Sequence, residues 1–488
     1  MQKQLKNKYS YAELEAENLR LRTELTNLKR LIFGQKRERF IPEENDNQLS
    51  FLNQAVSSES ISKTEEISYT RAKRSKKANP PSRQLLPAHF KRNKIIIEPE
   101  EDTTGMKKIG EEITEELEYE PGKFYVNRYV RPKYALPEDK GIAIGLLPTR
   151  PIEKGIAGPG LLAHINISKF VDHLPLYRQQ QQFKRLGIAL SASTLCGWVR
   201  STYELTKPLV DLMRKQVLQS GYLMADETPI KVQDAGIKGK NHQGYYWVYY
   251  DPLSKQIFFD YKKRRERDGP NQILKDFKGY LQTDGYAGYN DLGKRKGITP
   301  MGCMAHARRK FVEAQESDPE RAGWMLHHIQ ILYKIERNAR DNHFSYKKRY
   351  HERQQYSAVA MGVIKNWLDV ESMQVRPKSA IGKAIAYMLK QWPRLEVYLT
   401  DGKLEIDNNL VENAIRPIAL GRKNYLFAGS HDGAEWAAAI YTLVTNAKLQ
   451  GVEPFTYLRD ILDRISDHPC KKLDQLLPEN FKEQYVLK

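Results

Sequence analysis

The hexapeptide GYLMAD at residues 221–226 recurs as GYLQTD at residues 279–284. Each copy is a short apolar run that ends in an aspartate, Asp226 in the first copy and Asp284 in the second. A run of this kind is typical of a buried strand that presents a carboxylate at the edge of a sheet. The repeat therefore predicts two buried strands with an acidic residue at the end of each.

Two aromatic runs lie between the copies, YYWVYY at 245–250 and QIFFDY at 256–261. The turn signal Asp251-Pro252 separates them, so we expect an antiparallel hairpin. A short helix over about residues 270–277 would then precede the second acidic run.

After residues 298–303, a helix begins near His306. This order of elements resembles an RNase H-like fold, in which the first and fourth strands lie side by side. Such an arrangement would bring Asp226 and Asp284 together. We therefore expect a multidomain α/β protein with an RNase H-like core.

Two adjacent carboxylates repel each other unless a divalent cation lies between them, and hard oxygen ligands suit Mg²⁺ or Mn²⁺. A third carboxylate, offered by Glu412 in IDNNLVENAIRP at 406–417, would complete a two-metal site. The competing interpretation is that the aspartates cap turns and that Glu412 forms a surface pair with Arg416. Spacing alone favours the surface pair for Glu412.

Four longer motifs resemble those of a known protein family: ADETP around Asp226, QTDGYAGYN around Asp284, GCMAHARRKF at 302–311 and IDNNLVENAIRPIALGRKNYLFAGS at 406–430. They resemble the transposases of the insertion sequence 66 family, which are of the DDE type. The resemblance extends over nearly the whole chain, because it includes two further segments. These are the N-terminal helix, which runs into Phe33-Gly34, and the stretch RPIEKGIAGPGLLA at 150–163.

This resemblance implies an RNase H-like DDE catalytic domain over 219–430, with a helical insertion at about 313–400 and a C-terminal helical region over 431–488. It also implies that Asp226, Asp284 and Glu412 bind two Mg²⁺ or Mn²⁺ ions. The implied activity is that of a DNA transposase, which binds terminal inverted repeats, cleaves strands and joins them to target DNA. Accessory proteins of the same element are implied as partners.

The first forty residues show a heptad pattern typical of a coiled coil. An asparagine at one core position favours two strands in register, so residues 1–40 predict a homodimer or higher oligomer. A single amphipathic helix packed on its own chain is the alternative. The proposed dimerisation residues are Leu14, Asn18, Leu21, Leu25 and Leu28.

Residues 41–83 lose this period and end in the basic stretch RAKRSKKANPPSR, which predicts a flexible basic linker. Residues 84–149 contain short β-type runs, among them 123–130, and predict a small β-rich, finger-like module. The family commonly has two Cys-x-x-Cys pairs here, but this stretch contains no cysteine and only His89 as a nearby candidate ligand. Because tetrahedral zinc needs four ligands, we predict that the module folds without zinc.

Residues 150–218 predict two helical stretches, the first interrupted at Pro175 and the second starting near Thr194. Gly187 makes a break between them, and Ser191 or Ser193 can cap the second helix. This pattern fits a DNA-binding helix-turn-helix and an ordinary helical hairpin equally well.

The chain has 79 Lys and Arg residues against 60 Asp and Glu residues, a net charge of +19 that favours nucleic acid as a partner. We expect His306 and Asn409 near the active site, Cys303 in a non-metal role, and Glu227 on the strand face opposite to Asp226. The predicted DNA contacts are Lys262, Lys263, Arg264, Arg265, Arg308, Arg309, Lys310, Arg416, Arg422 and Lys423.

No P-loop, dinucleotide-binding glycine pattern or nucleophile elbow is present, which argues against an ATP-driven or NAD-dependent enzyme. The sequence also shows no apolar run of membrane-spanning length and no apolar signal segment, and it has only three cysteines. These features predict a cytoplasmic, nucleoid-associated protein with no membrane partner. Two alternatives to a transposase stay open, namely a DNA-binding regulator with an inactive nuclease-like domain and an RNase H-like structure-specific endonuclease.

Overall fold

A computed structural model describes residues 122, 124–130, 133–135, 142–144, 148–153, 155–234, 236, 241–266 and 268–481. The predicted coiled coil, the basic linker and most of the β-rich module lie outside these residues. The chain divides into two units, Met1–Tyr125 and Val126–Lys488. All the described helices and strands belong to the second unit.

Within the described residues of the β-rich module, β1 (Lys133–Ala135) and β2 (Ile142–Ile144) form a two-stranded antiparallel pair. The prediction of a strand over 123–130 is wrong for its described residues 124–130, which form no regular element. Val126 and Val130 are 91% and 75% exposed. A β-type sequence becomes a strand only where a neighbouring strand and an apolar layer support it, and here β1 pairs with β2 instead.

Three helices come next: α1 (Pro159–Phe170), α2 (Leu176–Arg185) and α3 (Ala192–Leu218). The predicted interruption is confirmed, because Pro175 precedes α2 and Gly187 follows it with φ at +83°. The hydroxyl of Ser191 accepts a hydrogen bond of 3.0 Å from the backbone N–H of Thr194 and so caps α3.

The sheet contains five strands: β3 (Tyr222–Gln233), β4 (Asn241–Asp251), β5 (Gln256–Lys262), β6 (Gly279–Gln282) and β7 (Ile298–Met301). Their spatial order is β5-β4-β3-β6-β7. β3, β4 and β5 are antiparallel, whereas β6 is parallel to both β3 and β7. The first and fourth strands of this sheet are therefore neighbours, as predicted, with helix α4 (Asp268–Ile273) before the fourth.

The first acidic strand is longer than predicted. β3 continues to Gln233, well past Asp226, whereas β6 pairs with it only over Tyr222–Met224. β3 therefore has an open edge beside Asp226 on the side where β6 has already ended.

The glycines that begin the two hexapeptides allow the acidic strands to start close together. Gly279 has φ at +136°, and a Cβ atom there would lie 2.2 Å from the carbonyl oxygen of Gly221. The same carbonyl accepts a hydrogen bond of 3.0 Å from the N–H of Tyr280. A larger residue at position 279 would both strain the backbone and collide with β3.

Helices make up the rest of the described chain. As predicted, the described residues between β7 and residue 400 are largely helical. Within the described residues, no helix combines the length and apolar character needed to cross a bilayer. The helices are α5 (Met304–Ala314), α6 (Pro319–Asp341), α7 (Tyr346–Glu352), α8 (Ala358–Gln374), α9 (Ala380–Leu395), α10 (Asn409–Tyr425), α11 (His431–Leu449) and α12 (Pro454–Arg464).

Two buried arginines hold the end of the helical insertion. Arg353 is fully buried, and its Nε donates to Glu336 at 2.7 Å. Its terminal nitrogens donate to the carbonyls of Tyr398, Asp401 and Leu404 at 2.6, 2.8 and 2.7 Å. The guanidinium thus donates hydrogen bonds to carbonyls of the segment that leads into α10 and to Glu336, whose negative charge balances its own.

The second of these arginines, Arg349, connects two acids. It donates to Glu336 at 2.9 Å and to Glu405 at 2.8 Å. Glu405 lies in the segment just before α10, so this ion pair also ties the insertion to the helix that contains Glu412.

Helix α11 covers the outer edge of the sheet. The backbone N–H of Ile257 donates to the side chain of Asn446 at 2.9 Å, and the N–H of Phe259 donates to Thr442 at 3.1 Å. The amide of Asn446 returns a bond of 2.7 Å to the carbonyl of Ile257. Side chains of α11 therefore satisfy backbone groups that the edge strand β5 would otherwise expose.

Candidate active site

The strand register places the two predicted aspartates level with each other. Met224 on β3 pairs with Gln282 on β6, and Asp226 and Asp284 each lie two residues farther along in the same direction. Carboxylate oxygens of Asp226, Asp284 and Glu227 lie within 4.8 Å of one another. The structure thus brings together the first two predicted acids and adds a third, which the alternation of strand faces had predicted to point away.

The electrostatics of this cluster are unfavourable for negative charge. Burial raises the pKa of Asp226 well above its ordinary value, and the carboxylates of Glu227 and Asp284 raise it further. The carboxylate of Glu412 makes the smallest contribution to this rise. A buried carboxyl whose pKa is raised by burial and by neighbouring acids lies in a site that a divalent cation would stabilise.

The loop after β6 holds Asp284 in place. One carboxylate oxygen of Asp284 accepts a bond of 2.8 Å from the N–H of Tyr286, and its carbonyl accepts one of 3.0 Å from the hydroxyl of Tyr387 on α9. Gly285 between them has φ at +89°, and a Cβ atom there would lie 2.8 Å from the side chain of Gln391. Glycine is required at this position because the loop turns tightly against the helical insertion.

The expectation that Glu227 points away from Asp226 is wrong. Alternation of faces would separate the two side chains in the interior of a sheet. Here β3 extends past the end of β6, so the long side chain of Glu227 can turn over the open edge toward Asp284. The side chain is 1% exposed, and its burial raises the pKa of Glu227.

Two donors bind the carboxylate of Glu227. The Nε of Arg265 donates to Oε1 at 2.8 Å, a second guanidinium nitrogen donates to the same oxygen, and the hydroxyl of Tyr289 donates to Oε2 at 3.1 Å. The guanidinium of Arg265 lies over the ring of Tyr286, 3.7 Å from the ring centroid. The hydroxyl of Tyr286 in turn donates to the carbonyl of Arg265 at 3.1 Å.

Glu412 lies in the first turn of α10 and faces α5. The Nδ1 of His306 is 3.7 Å from its carboxylate, which places the predicted neighbour beside the predicted third acid. The thiol of Cys303 completes a group whose ligand atoms lie within 4.8 Å of one another. Burial raises the pKa of the Cys303 thiol.

The second predicted neighbour, Asn409, binds Asp407. Its backbone N–H and its side-chain amide donate to the two carboxylate oxygens of Asp407 at 3.1 and 2.8 Å. Tyr333 donates to Asp407 as well, at 2.8 Å. Asn409 thus stabilises the start of α10, three residues before Glu412.

The predicted DNA contacts fall into two groups. Lys263, Arg416 and Lys423 are exposed, and Arg308 and Arg309 are half-buried on α5. Arg308 and Arg309 also interact with other groups of the protein. So do the remaining five: Lys262 with Asp260 at 3.3 Å, Arg264 with Glu266 at 3.1 Å, Lys310 with Glu313 at 3.0 Å, Arg265 with Glu227, and Arg422 with the carbonyl of Pro229.

A buried polar junction behind the acids was not predicted. Gln282 donates to the carbonyls of Gly302 and Glu405, each at 3.0 Å. Its own carbonyl accepts a bond from the hydroxyl of Tyr222. The signal for this junction was in the sequence, because a glutamine inside an otherwise apolar buried strand must find hydrogen-bond partners.

Comparisons with known proteins give a consistent family. A family model described as "Transposase IS66 family" matches residues 154–436, and one described as "IS66 C-terminal element" matches 442–478. A "zinc-finger binding domain of transposase IS66" matches 101–136, and "Transposase C of IS166 homeodomain" matches 20–95. The residues matched by the zinc-finger model contain neither cysteine nor histidine.

Relatives from Sinorhizobium fredii are similar over most of the chain. Its uncharacterized protein y4qI is 33% identical over 479 residues, which cover 94% of this chain and 88% of the relative. Its uncharacterized protein y4jD is 34% identical over 429 residues, which cover 82% of each. Its uncharacterized protein y4hP is 32% identical over 494 residues, covering 95% of this chain and 88% of the relative.

Proposed function

This chain belongs to the IS66 family of transposases, and we propose that it is a DNA transposase of the DDE type. In this proposal it binds the terminal inverted repeats of an insertion sequence, cleaves DNA strands and joins the 3′-hydroxyl ends to target DNA. The observation that carries the proposal is the convergence of the carboxylates of Asp226 and Asp284.

The topology of the sheet supports this function. The first three strands are antiparallel, the fourth is parallel to the first, and the fifth is parallel to the fourth. This is the strand order of an RNase H-like fold. In that fold the acids of a nuclease or transposase site come from the first strand, the fourth strand and a later helix. Asp226 lies on the first strand, Asp284 lies two residues past the end of the fourth strand, and Glu412 lies on a later helix.

The residues fit divalent metal ions. Carboxylate oxygens are the ligands that Mg²⁺ and Mn²⁺ prefer. Burial and the neighbouring acids raise the pKa of Asp226, and bound divalent ions would neutralise the negative charge of these acids. Asp226, Asp284 and Glu412 would hold two ions. When bound, the ions would activate a water or a 3′-hydroxyl and stabilise the leaving oxygen. His306 would then orient Glu412 from the side of α5.

DNA binding would use the remaining basic surface and the N-terminal half. The exposed residues Lys263, Arg416 and Lys423 are the best placed for phosphate contacts. Helices α2 and α3 would bind DNA as a helix-turn-helix. Residues 1–40 would hold two copies together, and the finger-like module would fold without zinc because its matched residues contain neither cysteine nor histidine.

The test is cleavage of a duplex that carries one end of the element, in the presence of Mg²⁺ or Mn²⁺. The wild-type chain should nick the duplex, and Asp226→Asn should abolish nicking while it still binds the end. Asp369→Asn, which changes an aspartate on the surface of the helical insertion, should cleave normally. Retained cleavage by Asp226→Asn would refute the assigned site.

The same assay separates the alternatives. A DNA-binding regulator would bind the end and cleave with neither metal. A structure-specific nuclease would cleave but would not join the released 3′-hydroxyl to a second duplex. Joined products, absent with Asp284→Asn, are the result that the proposed transposase requires.

A further inference from the structure

An unbroken chain of contacts connects Glu227 to Asp284. Arg265 donates to the carboxylate of Glu227, and its guanidinium stacks on the ring of Tyr286, 3.7 Å from the centroid. The backbone N–H of Tyr286 then donates to a carboxylate oxygen of Asp284 at 2.8 Å. The hydroxyl of Tyr286 returns to the carbonyl of Arg265, so the contacts form a closed loop.

The burial of this chain distinguishes it from an ordinary surface ion pair. The side chain of Glu227 is 1% exposed, and that of Arg265 is 40% exposed. Tyr289, which binds the other oxygen of Glu227, is 3% exposed and packs edge-on against Tyr286 with ring centroids 6.2 Å apart. A carboxylate so nearly buried is held by its partners, and the loss of one of them leaves the charge uncompensated.

Both oxygens of Glu227 are already engaged by side-chain donors. Oε1 accepts from Arg265, and Oε2 accepts from Tyr289. The carboxylate is therefore oriented toward these donors. Oδ1 of Asp226, by contrast, accepts a backbone donor, the N–H of Glu227 at 2.8 Å. Glu227 is thus bound by side-chain donors and Asp226 by a backbone donor, so the two acids differ in role.

We propose that Glu227 is a positioning residue, which sets the place of Asp284 through Arg265 and Tyr286 and does not itself bind metal. The proposal rests on the proposed function, since it takes Asp284 as a ligand of the metal centre. Removal of Glu227 would release Arg265, and Tyr286 would lose the guanidinium packed on its ring. The N–H that fixes the carboxylate of Asp284 would then be less well placed.

The experiment measures Mn²⁺ affinity of the full chain without DNA, by titration calorimetry. We expect Glu227→Gln and Arg265→Gln each to weaken Mn²⁺ binding by about tenfold, at the lower end of the effect of residues that support metal ligands. The double variant should be no weaker than either single one, because both act on the same chain of contacts.

The Arg265→Gln variant discriminates between positioning and direct ligation. If Glu227 itself held the ion, removal of the arginine would free its carboxylate and remove a competing positive charge. Mn²⁺ would then bind as tightly as in the wild type or more tightly, and that result would overturn the proposal. Wild-type Mn²⁺ affinity in Glu227→Gln would overturn it equally.

A matched control is Arg321→Gln in the helical insertion. Arg321 is 36% exposed and pairs with Glu371 at 2.6 Å, so it resembles Arg265 in exposure and partner. Its loss should leave Mn²⁺ affinity unchanged. Thermal melting of each variant confirms folding, and Arg265→Gln answers the question alone if Glu227→Gln does not fold.

One further variant separates this inference from the proposed function. Asp284→Asn should lose most Mn²⁺ binding if the metal centre is correctly assigned. If it binds Mn²⁺ normally, the metal centre of the proposed function is wrong. If Asp284→Asn loses binding while Glu227→Gln and Arg265→Gln retain it, only the positioning role is wrong.

Discussion

Tyr222 on β3 and Gln282 on β6 share a buried hydrogen bond of 2.6 Å, in which the phenol donates to the side-chain carbonyl. The same phenol oxygen accepts the backbone N–H of Glu405 at 3.0 Å. One junction therefore joins both acidic strands to the segment that leads to Glu412. The relative placement of the three proposed ligands depends on this junction as much as on the ligands' own contacts.

Tyr222→Phe tests the junction. The variant leaves the N–H of Glu405 and the carbonyl of Gln282 without this partner, and an unsatisfied buried group costs about 1–3 kcal/mol. We expect a melting temperature several degrees below that of the wild type, measured by circular dichroism. Tyr350→Phe, at a ring that is 36% exposed, should change it little. Equal melting of the two variants would contradict the importance of the junction.

Arg353→Met tests the buried charges of the insertion. Glu336 would lose one of its two arginines, and three carbonyls would lose a donor. Breaking a buried ion pair from one side costs about 3–5 kcal/mol, so thermal or urea unfolding should show a large loss of stability. Lys365→Met, which breaks an exposed pair with Asp369 on the same insertion, should cost less than about 1 kcal/mol.

Divalent cations should stabilise the folded chain. A ligand that binds only the folded state adds about 2.7 kcal/mol at a hundred times its dissociation constant. Differential scanning calorimetry should therefore show a higher melting temperature with Mn²⁺ than with NaCl at equal ionic strength. Asp284→Asn should lose this increase, and a rise that persists in that variant would place the binding elsewhere.

The buried carboxyl of Asp260 should make the stability of the folded chain depend on pH. Burial raises the pKa of Asp260 on β5 above its ordinary value of 3.8, while the pair with Lys262 opposes the rise. The folded state thus holds this proton more tightly than the unfolded state, so the wild type loses stability as pH rises from about 4 through the folded pKa. Asp260→Asn lacks this loss.

We subtract the melting temperature of the wild type from that of Asp260→Asn at each pH. We expect this difference to be more positive at pH 7.5 than at pH 4.5. The measurement is the difference between the two proteins at each pH, which removes effects of other groups. A difference that stays constant with pH would show that the carboxyl of Asp260 titrates alike in both states.

The strands β3, β4, β5 and β6 could be predicted because each contains an apolar run bounded by turn signals. The repeated hexapeptide even contained the register, since its two copies pair from Tyr222 opposite Tyr280 onward. The family membership was also predictable, because long motifs such as the one at 406–430 do not depend on knowledge of the packing.

Contacts that depend on strand length and on distant partners could not be predicted. The place of Glu227 follows from the different lengths of β3 and β6, which no local pattern reveals. Arg265 lies in a basic run that suggested a DNA surface, yet its partner is 38 residues away in sequence. The β-type residues 124–130 show the reverse failure, because they form no strand and pair with no strand among the described residues.

Helix α11 covers the edge strand β5, and this determines where the chain can be truncated. The two C-terminal family models meet between residues 436 and 442, inside this helix. A chain ended there would keep β5 but lose Thr442 and Asn446, and the backbone of Ile257 and Phe259 would be open to the same strand of another copy. Such a truncation should aggregate edge to edge, whereas one that extends through α12 should stay monodisperse.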